Sequence, residues 1–425
     1  MSTLLFWLGV VRLTAAINVR LPLRRPLILN LPFFFAGWLV GELALHWVAL
    51  GIASTVALGM LGALDAPPGI WGLGLSVVAW ILLVGSHRDS ASAGETVERA
   101  LHDGLGPNYS RDLPGDTPEV ESPPLRLLAR PFSSIHRPDV EREKDLVYHQ
   151  EGRLRLRLDL YRPKRQDGEP RPVLLQIHGG AWIIGSKEEQ GLPLLNHVAS
   201  KGWIGVAINY RLSPRAQFPD HLIDVKRAIA WIREHIADYG GDPGYIVISG
   251  GSAGGHLASL AALTPGEPEY QPGFEGVDTG LRGCVPCYGV YDFVDEERTY
   301  RTWVMQQHLE RLVMKVRMRD QPEAFRAASP IHRIGRDIPP FLIVHGTHDT
   351  LVPVAQARLF RDALIRAEAA TVCYAEIPGA QHAFDVFPSR RSMLTVYGIG
   401  RFLGVIRERH SQGREAITSS ATAPS

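Results

Sequence analysis

Hydrophobic residues cluster most densely near the start of the chain. The stretch from Phe33 to Leu64 is almost wholly apolar. As a single helix it would be about 48 Å long, more than the roughly 30 Å hydrocarbon core of a bilayer, so it must tilt, kink or protrude. A second apolar run covers Ile70 to Gly85, and the segment 65–69 between the two has the Pro and Gly content of a tight turn. This pattern predicts that residues 1–88 form a membrane anchor with about two transmembrane helices in a hairpin; the alternative is a buried hairpin in a soluble protein.

Arginine residues mark the two ends of this region, and the turn has none. Because cytoplasmic flanks are enriched in Lys and Arg, both ends and everything after them are predicted to lie on the cytoplasmic side. A third span over Leu4 to Ala16 would change that parity and place the remainder outside. A cleaved signal peptide is not expected, since no Lys or Arg precedes Leu4. The arginines concerned are Arg12, Arg20, Arg24 and Arg25 before the first run and Arg88 and Arg99 after the second.

Two further segments have the composition of non-globular chain. Residues 89–130 are rich in Ser, Gly, Pro and Asp, and only Glu95 to Leu101 resembles a short helix, so a linker is predicted there. Residues 409–425 are rich in Ser, Thr and Ala with few large apolar side chains, which predicts a disordered tail.

The soluble domain expected between these segments covers residues 131–408. Short apolar runs alternate there with helical patterns, which predicts an α/β fold with a mostly parallel sheet and helices on both faces. An insertion over residues 291–330, with apolar residues on one helical face, is predicted to be a small cap. The predicted strands are Pro172 to Ile177, Trp203 to Asn209, Tyr245 to Ser249, Gly283 to Tyr288 and Phe341 to Val344, and the predicted helices are Asp220 to Tyr239, Gly255 to Leu263, Pro353 to Arg366 and Ser389 to Arg407.

The overall charge and the cysteine count narrow the chemistry. The chain has 45 Lys and Arg residues against 44 Asp and Glu, and a formal net charge of +1 gives no general attraction to nucleic acid. Three cysteines, Cys284, Cys287 and Cys373, are too few for a disulfide framework or a four-ligand zinc site. No metal, cofactor or nucleic-acid partner is predicted, and the pattern does not indicate an oligomeric state.

The segment 250–254 (GGSAG) carries the first catalytic signal. It follows the predicted strand Tyr245 to Ser249 and opens an apolar helix, the context in which a sharp strand-to-helix turn exposes a nucleophilic serine. Its small residues let the backbone turn, so Ser252 is predicted to be the nucleophile. The alternative, a Gly-rich phosphate loop, lacks the Lys that such loops carry.

A serine nucleophile needs an imidazole to accept its proton and an acid to orient that imidazole. Asp349 and His382 each follow an apolar strand, and the order Ser252, Asp349, His382 is that of α/β-hydrolases. Parallel strands place their carboxyl ends at one edge of the sheet, where these three side chains are predicted to meet. His345 and His348 are alternative imidazoles, and with Asp349 they could instead ligate a metal.

The segment 178–182 (HGGAW), directly after the strand Pro172 to Ile177, predicts an oxyanion hole. Glycine at two of its positions allows the main chain to approach a substrate closely. His178 precedes the serine and is predicted to brace this loop rather than to act as a base. The predicted donors to the substrate oxygen are the backbone N–H groups of Gly179, Gly180, Ala181 and Ala253.

With these motifs in place, residues from about Tyr148 to Arg407 resemble an α/β-hydrolase of the hormone-sensitive-lipase-like esterase group and its bacterial acyl-esterase relatives. The run 209–214 (NYRLSP), with Phe218-Pro219 and Asp224 after it, is similar to the family segment that leads into the helix supporting the active site. Ala181 stands where a third glycine is usual in the family. With apolar runs ahead of the hydrolase domain, the layout also resembles that of membrane-associated actinobacterial lipases and esterases.

The motifs and the resemblance together predict a membrane-bound serine carboxylesterase or lipase that hydrolyses acyl esters through a Ser-His-Asp triad and an acyl-enzyme intermediate. Its substrate would be a small-molecule or lipid ester, and its anchor would contact membrane lipid. An amidase or formamidase with the same triad is the alternative enzyme, and a non-catalytic ligand-binding protein is the alternative outside enzymes. The acyl chain length and the alcohol stay open.

Overall fold

The structure, a computed structural model, describes residues 1–23, 27–113, 122–132, 135–165, 168–300 and 303–422. Within these residues the chain forms eight strands and thirteen α-helices. The strands are β1 (Val140–Glu151), β2 (Leu154–Pro163), β3 (Arg171–Ile177), β4 (Ile204–Ile208), β5 (Gly241–Gly251), β6 (Gly283–Cys287), β7 (Phe341–Gly346) and β8 (Val372–Ile377). The helices are α1 (Ser2–Arg20), α2 (Leu27–Glu42), α3 (Ala44–Met60), α4 (Pro67–Asp89), α5 (Ser92–Leu105), α6 (Leu125–Ala129), α7 (Leu192–Ser200), α8 (Asp220–His235), α9 (Ala253–Leu263), α10 (Val304–His308), α11 (Pro322–Ala327), α12 (Val354–Arg366) and α13 (Arg390–Thr422).

All eight strands belong to one sheet, in the order β1-β2-β4-β3-β5-β6-β7-β8. β2 pairs antiparallel with β1 and β4, whereas the other neighbouring strands pair in parallel. The register sets Ile177 beside Gly250 and Gly251 beside Cys287, so the carboxyl ends of the central strands meet at one edge. The predicted α/β fold with a mostly parallel sheet is confirmed.

Helices cover both faces of the sheet because its strands are apolar on both sides. Leu257 of α9 and Phe360 of α12 belong to the hydrophobic cluster on one face, which α8 also covers. Val97 of α5 and Phe402 of α13 belong to the cluster on the other face, together with α7. The sheet edge that carries the predicted site residues is therefore held rigidly between two packed layers.

The structure differs from the predicted linker over residues 89–130. α4 extends to Asp89, and α5 then packs on the sheet with Val97, Leu101 and Leu105 buried. These three residues are four apart and make a narrow apolar stripe, which the polar composition of the segment conceals. Residues 114–121 of this segment lie outside the described residues.

The predicted disordered tail also differs from the structure. α13 continues to Thr422, so residues 409–422 are helical, and residues 423–425 lie outside the described part of the chain. Arg409 bonds to Asp112 at 2.8 Å, and the His410 ring lies 5.1 Å from that of Tyr245. These long-range contacts fix the start of the segment, and composition cannot reveal them.

The apolar stretch Phe33 to Leu64 does not form the single helix of a simple hairpin. It divides into α2 and α3, whose axes differ by 91°. Glu42 at the break accepts hydrogen bonds from Arg391 and Ser389 of the sheet-containing domain. These bonds tie the end of α2 to that domain, so the chain must change direction before α3.

Leu4 to Ala16 lies within α1, which packs parallel to α4. Ser2 lies near Gly69, Arg12 bonds to Ser76 at 2.9 Å, and Arg20 pairs with Asp89 at 2.9 Å, so contacts follow the same order along both helices. Two helical stretches in the described residues, Ser2–Arg20 and Pro67–Leu105, are long and apolar enough to cross a membrane. The bent pair α2–α3 makes three if it counts as one span.

Candidate active site

Ser252 lies at the turn between β5 and α9, where the nucleophile is predicted. Its backbone has φ 57° and ψ −120°, a strained conformation for a residue other than glycine and one expected at a nucleophile elbow. A Cβ on Gly250 or Gly254 would collide with neighbouring backbone, so the turn needs glycine at both positions. The Ser252 side chain is partly exposed, and its N–H donates to the Cys287 carbonyl at 2.9 Å.

Asp349 and His382 meet at the same sheet edge. His382 Nδ1 lies 2.6 Å from Asp349 Oδ2, and both side chains are buried. The second carboxylate oxygen accepts the N–H groups of Leu351 and Val352 at 2.9 and 2.8 Å. Burial alone would raise the pKa of Asp349, but His382 and His345 beside it lower that pKa well below its usual range. The carboxylate is therefore ionised and can hold the proton of His382 on Nδ1.

Tyr288 connects the serine turn to the histidine, and the sequence analysis did not identify it. Its ring lies 4.7 Å from the ring of His382, and a Cβ on Gly251 would touch it on the other side. The hydroxyl of Tyr288 donates to Asp385. Its position directly after β6, at the same sheet edge as the predicted site residues, is the sequence feature that could have identified it. Ser252 Oγ makes no hydrogen bond to His382 among the described residues; such bonds are often long before substrate binds.

The loop 178–182 carries three of the four predicted oxyanion donors. The N–H of Gly179 already has an acceptor in this structure, since it donates to Gln190 Oε1 at 2.7 Å. In the described part of the chain, the N–H groups of Gly180, Ala181 and Ala253 have no acceptor. Gly180 and Ala181 have φ values of 117° and 51°. Their peptide groups therefore lie outside the backbone hydrogen-bond pattern of a strand or a helix.

His178 braces this loop, as its position in the sequence indicates. Its Nδ1 lies 2.7 Å from the Gly179 carbonyl oxygen, and its ring stacks on Tyr210 with centroids 4.4 Å apart. Burial lowers the pKa of His178 to about 4. A neutral imidazole held by its own loop is a structural group and not a base for Ser252.

The two alternative imidazoles have other partners. His345 is fully buried, with Nε2 3.0 Å from the Val352 carbonyl oxygen and 3.2 Å from Asp349. His348 faces the N-terminal helices, with Nδ1 3.2 Å from the carbonyl oxygen of Val19. The two histidines and Asp349 do not converge on one point, so the alternative of a metal site has no geometric support.

The predicted cap contacts the oxyanion loop. Leu309 and Val313 of the 291–330 insertion are buried in the core beside α9. His308 Nε2 lies 3.0 Å from the Ala181 carbonyl oxygen, and Phe293 packs edge-on against Trp182 at 5.2 Å. The insertion therefore contacts the loop that carries the predicted oxyanion donors Gly180 and Ala181.

The buried histidines predict acid sensitivity of the fold. Burial lowers the pKa values of four of them below 6.5, and an unfolded chain would bind protons near 6.5. The folded state then binds fewer protons, so the free energy of unfolding falls as pH drops below 6.5, by about 5 kcal/mol in total at pH 5.5. Their pKa values are about 4 for His178, 3 for His197, 4 for His221 and 3 for His256.

The melting temperature of the full chain in detergent checks this effect. We expect it to be lower at pH 5.5 than at pH 7.5 by about 5 °C or more. Asp349 does not contribute to this difference in melting temperature. A carboxylate with a lowered pKa loses its stabilising effect only when it becomes protonated, which happens at pH values more acidic than 5.5. Equal melting temperatures at the two pH values would contradict the buried, neutral state of these histidines.

Comparison with known proteins agrees with this architecture. Residues 158–364 match the BD-FAE family. Esterase LipQ of Mycobacterium tuberculosis is 41% identical over 393 residues, which cover 91% of this chain and 89% of LipQ. "Probable carboxylic ester hydrolase LipM" of the same organism is 40% identical over 423 residues, 96% of this chain and 94% of LipM.

A solved structure, a truncated carbohydrate esterase from gut microbiota, matches 64% of this chain and 97% of its own with a TM-score of 0.55 at 23% identity, which supports the fold. The mycobacterial matches extend over nearly the whole chain, N-terminal helices included, and the family match covers the strands that carry Ser252 and Asp349. The chain therefore belongs to the hormone-sensitive-lipase-like esterase family of α/β-hydrolases, a family of carboxylic ester hydrolases.

Proposed function

We propose that this enzyme is a serine carboxylesterase or lipase in which Ser252 is the nucleophile, His382 the base and Asp349 the acid that orients it. The observation that carries the proposal is the 2.6 Å hydrogen bond between His382 Nδ1 and Asp349 at the edge where Ser252 stands on its strained turn. An ionised Asp349 keeps the proton on Nδ1, so Nε2 is free to accept the hydroxyl proton.

The reaction then takes two steps. Ser252 Oγ attacks the ester carbonyl carbon while His382 accepts its proton, and His382 passes that proton to the leaving alcohol as the C–O bond breaks. Water attacks the acyl-enzyme by the same route and releases the carboxylic acid. The N–H groups of Gly180, Ala181 and Ala253 are the proposed donors to the oxyanion, since the Gly179 N–H is engaged by Gln190.

A matched ester and amide test ester hydrolysis against amidase or formamidase activity. We expect kcat/KM for p-nitrophenyl butyrate to exceed that for p-nitrobutyranilide by about 10³-fold or more, because an amine leaves far less readily than a phenolate. Comparable rates for the two substrates would instead favour the amidase.

We infer that the N-terminal helices anchor the enzyme in a membrane. α1 and α4 run parallel, and Arg12 of α1 connects them to α3, since it donates to Ser54 and Thr55 of α3 and to Ser76 of α4 at 2.7 to 2.9 Å. Large apolar side chains on the outer faces stay exposed, as they would against lipid. The exposed set includes Leu4, Trp7, Val11, Leu50, Ile52, Val56, Ile70, Trp71 and Ile81.

This arrangement supports the cytoplasmic side for the catalytic domain. With α1 as a further span, the N-terminus and the catalytic domain lie on opposite sides. Arg20 and Arg88 stand at the catalytic end of the bundle, whereas the segment 61–66 at the far end has no Lys or Arg. Because Lys and Arg are enriched on the cytoplasmic side, the end of the bundle that carries Arg20 and Arg88 is assigned to the cytoplasm. With α1 as a further span, the N-terminus then lies outside and the catalytic domain lies in the cytoplasm.

A further inference from the structure

α2 packs directly on the loop that carries His382. Trp38 Nε1 donates to the Ala383 carbonyl oxygen at 2.8 Å, and its ring stacks on Phe387 with centroids 5.0 Å apart. The ring of Phe34 meets that of His382 edge-on at an interplanar angle of 67°, with centroids 6.3 Å apart, and Phe34 is only 6% exposed. An N-terminal helix therefore contributes a side chain next to the proposed base.

A buried ion pair fixes the position of α2. The Glu42 carboxylate accepts hydrogen bonds from Arg391 and from Ser389 at 2.5 Å, and the charged side chains are 2% and 4% exposed. Removing either charge would leave the other buried without its opposite charge, which is strongly unfavourable. The contact between α2 and the histidine loop is thus a fixed part of the fold.

Beyond Glu42 the same apolar segment turns by 91° into α3 and exposes large hydrophobic side chains. Exposed large apolar side chains of this kind fit the hydrocarbon region of a bilayer. The helix pair therefore joins the lipid-facing surface to the histidine half of the active site. The exposed side chains on α3 are Leu45, Trp47, Leu50, Ile52, Val56 and Met60.

The proposed chemistry assigns a role to this half of the site. His382 gives its proton to the leaving alcohol, so the alcohol oxygen must come within hydrogen-bond reach of Nε2. In the proposed mechanism the substrate carbonyl oxygen lies instead at Gly180 and Ala181, on the loop that the cap contacts through His308. A side chain beside His382 is consequently on the leaving-group side.

We propose that the face of α2 carrying Phe34 is the wall of the leaving-group half of the site, and that the substrate is a lipid ester whose alcohol part is a long apolar group held in the bilayer. The proposal rests on the proposed function and adds the chemical class of the alcohol. The apolar alcohol would lie along Phe34 toward α3, while the acyl group faces the cap.

Two isomeric esters test this assignment in full-length enzyme reconstituted in lipid nanodiscs. Dodecyl acetate and ethyl dodecanoate have the same composition and similar partitioning into lipid, but the long chain is the alcohol in one and the acyl group in the other. We expect kcat/KM for dodecyl acetate to be higher by about tenfold or more. A ratio near one, or a preference for ethyl dodecanoate, would overturn the proposal.

Phe34→Ala should lower the ratio of dodecyl acetate to ethyl dodecanoate by about tenfold, because it removes the wall on the alcohol side. Phe6→Ala is the matched control, since Phe6 lies on α1 at the far end of the bundle, and it should leave the ratio unchanged. If Phe34→Ala does not fold, Phe34→Trp gives the same information: its larger ring should obstruct a long alcohol and lower the ratio by about threefold. An unchanged ratio in a folded Phe34 variant would refute the wall.

Failure of this proposal is distinguishable from failure of the proposed function. Both esters must be inert with Ser252→Ala if the serine mechanism holds, whatever their ratio in the wild-type enzyme. An active wild type with no alcohol preference refutes the α2 wall alone, whereas hydrolysis by Ser252→Ala refutes the mechanism itself.

Discussion

Replacing Ser252 with alanine is expected to lower kcat for ester hydrolysis by about 10⁴-fold or more. The substitution removes the attacking oxygen and little else, since the side chain is partly exposed at a turn that small residues already occupy. Steady-state kinetics with p-nitrophenyl butyrate measure the loss, and the melting temperature shows whether the fold is retained.

Ser259→Ala is the matched control for this substitution. Ser259 lies within α9, two turns beyond Ser252, where it is fully buried and its hydroxyl donates to the Gly255 carbonyl at 2.8 Å within the same helix. We expect its kcat to stay within about threefold of the wild type. Substantial activity in Ser252→Ala would show that another residue supplies the nucleophile.

The second large effect is expected for Asp349→Asn, about 10³- to 10⁴-fold in kcat. An asparagine can still accept the N–H groups of Leu351 and Val352 through one oxygen, but its amide donates toward His382 Nδ1. The imidazole proton then moves to Nε2, which can no longer accept the proton of Ser252. The same assay measures the loss, with KM expected to change much less because the substrate does not touch this group.

Asp385→Asn tests whether the right carboxylate has been assigned. Asp385 is partly buried close to the site. It accepts a hydrogen bond from the hydroxyl of Tyr288, not from His382, and loss of solvation raises its pKa. Its replacement should cost less than about tenfold in kcat. An equal loss of kcat in Asp385→Asn and Asp349→Asn would contradict the assignment of Asp349 as the acid that orients His382.

Much of the sheet and its edge could be predicted because the signals are local. Each predicted parallel strand is a mainly apolar run of four to seven residues, and the turn at Ser252 needs small residues on both sides, which the sequence displays directly. Asp349 and His382 could be paired in advance because parallel strands bring their carboxyl ends together.

The features that could not be predicted depend on partners distant in sequence. The bend after Glu42 requires Arg391, and the packing of α5 requires β8, neither of which leaves a local pattern. The engagement of the Gly179 N–H depends on where Gln190 points. In the sequence, Tyr288 is only the last residue of a predicted strand, whereas in the structure its ring links the serine turn to His382.

The placement of α2 changes how the N-terminal helices are understood. A hairpin tethered by a flexible linker would only hold the enzyme near the membrane. A helix that bonds to Ala383 and pairs through Glu42 with Arg391 also belongs to the active-site region.

Covalent labelling tests the central claim most directly. The full chain in detergent is treated with a fluorophosphonate, and the modified residue is identified by peptide mass spectrometry. We expect one phosphonyl group per chain, on Ser252, with labelling slowed about 10³-fold in Asp349→Asn. A label on any other residue, or labelling of Ser252 at an unchanged rate in that variant, would contradict a nucleophile activated by His382 and Asp349.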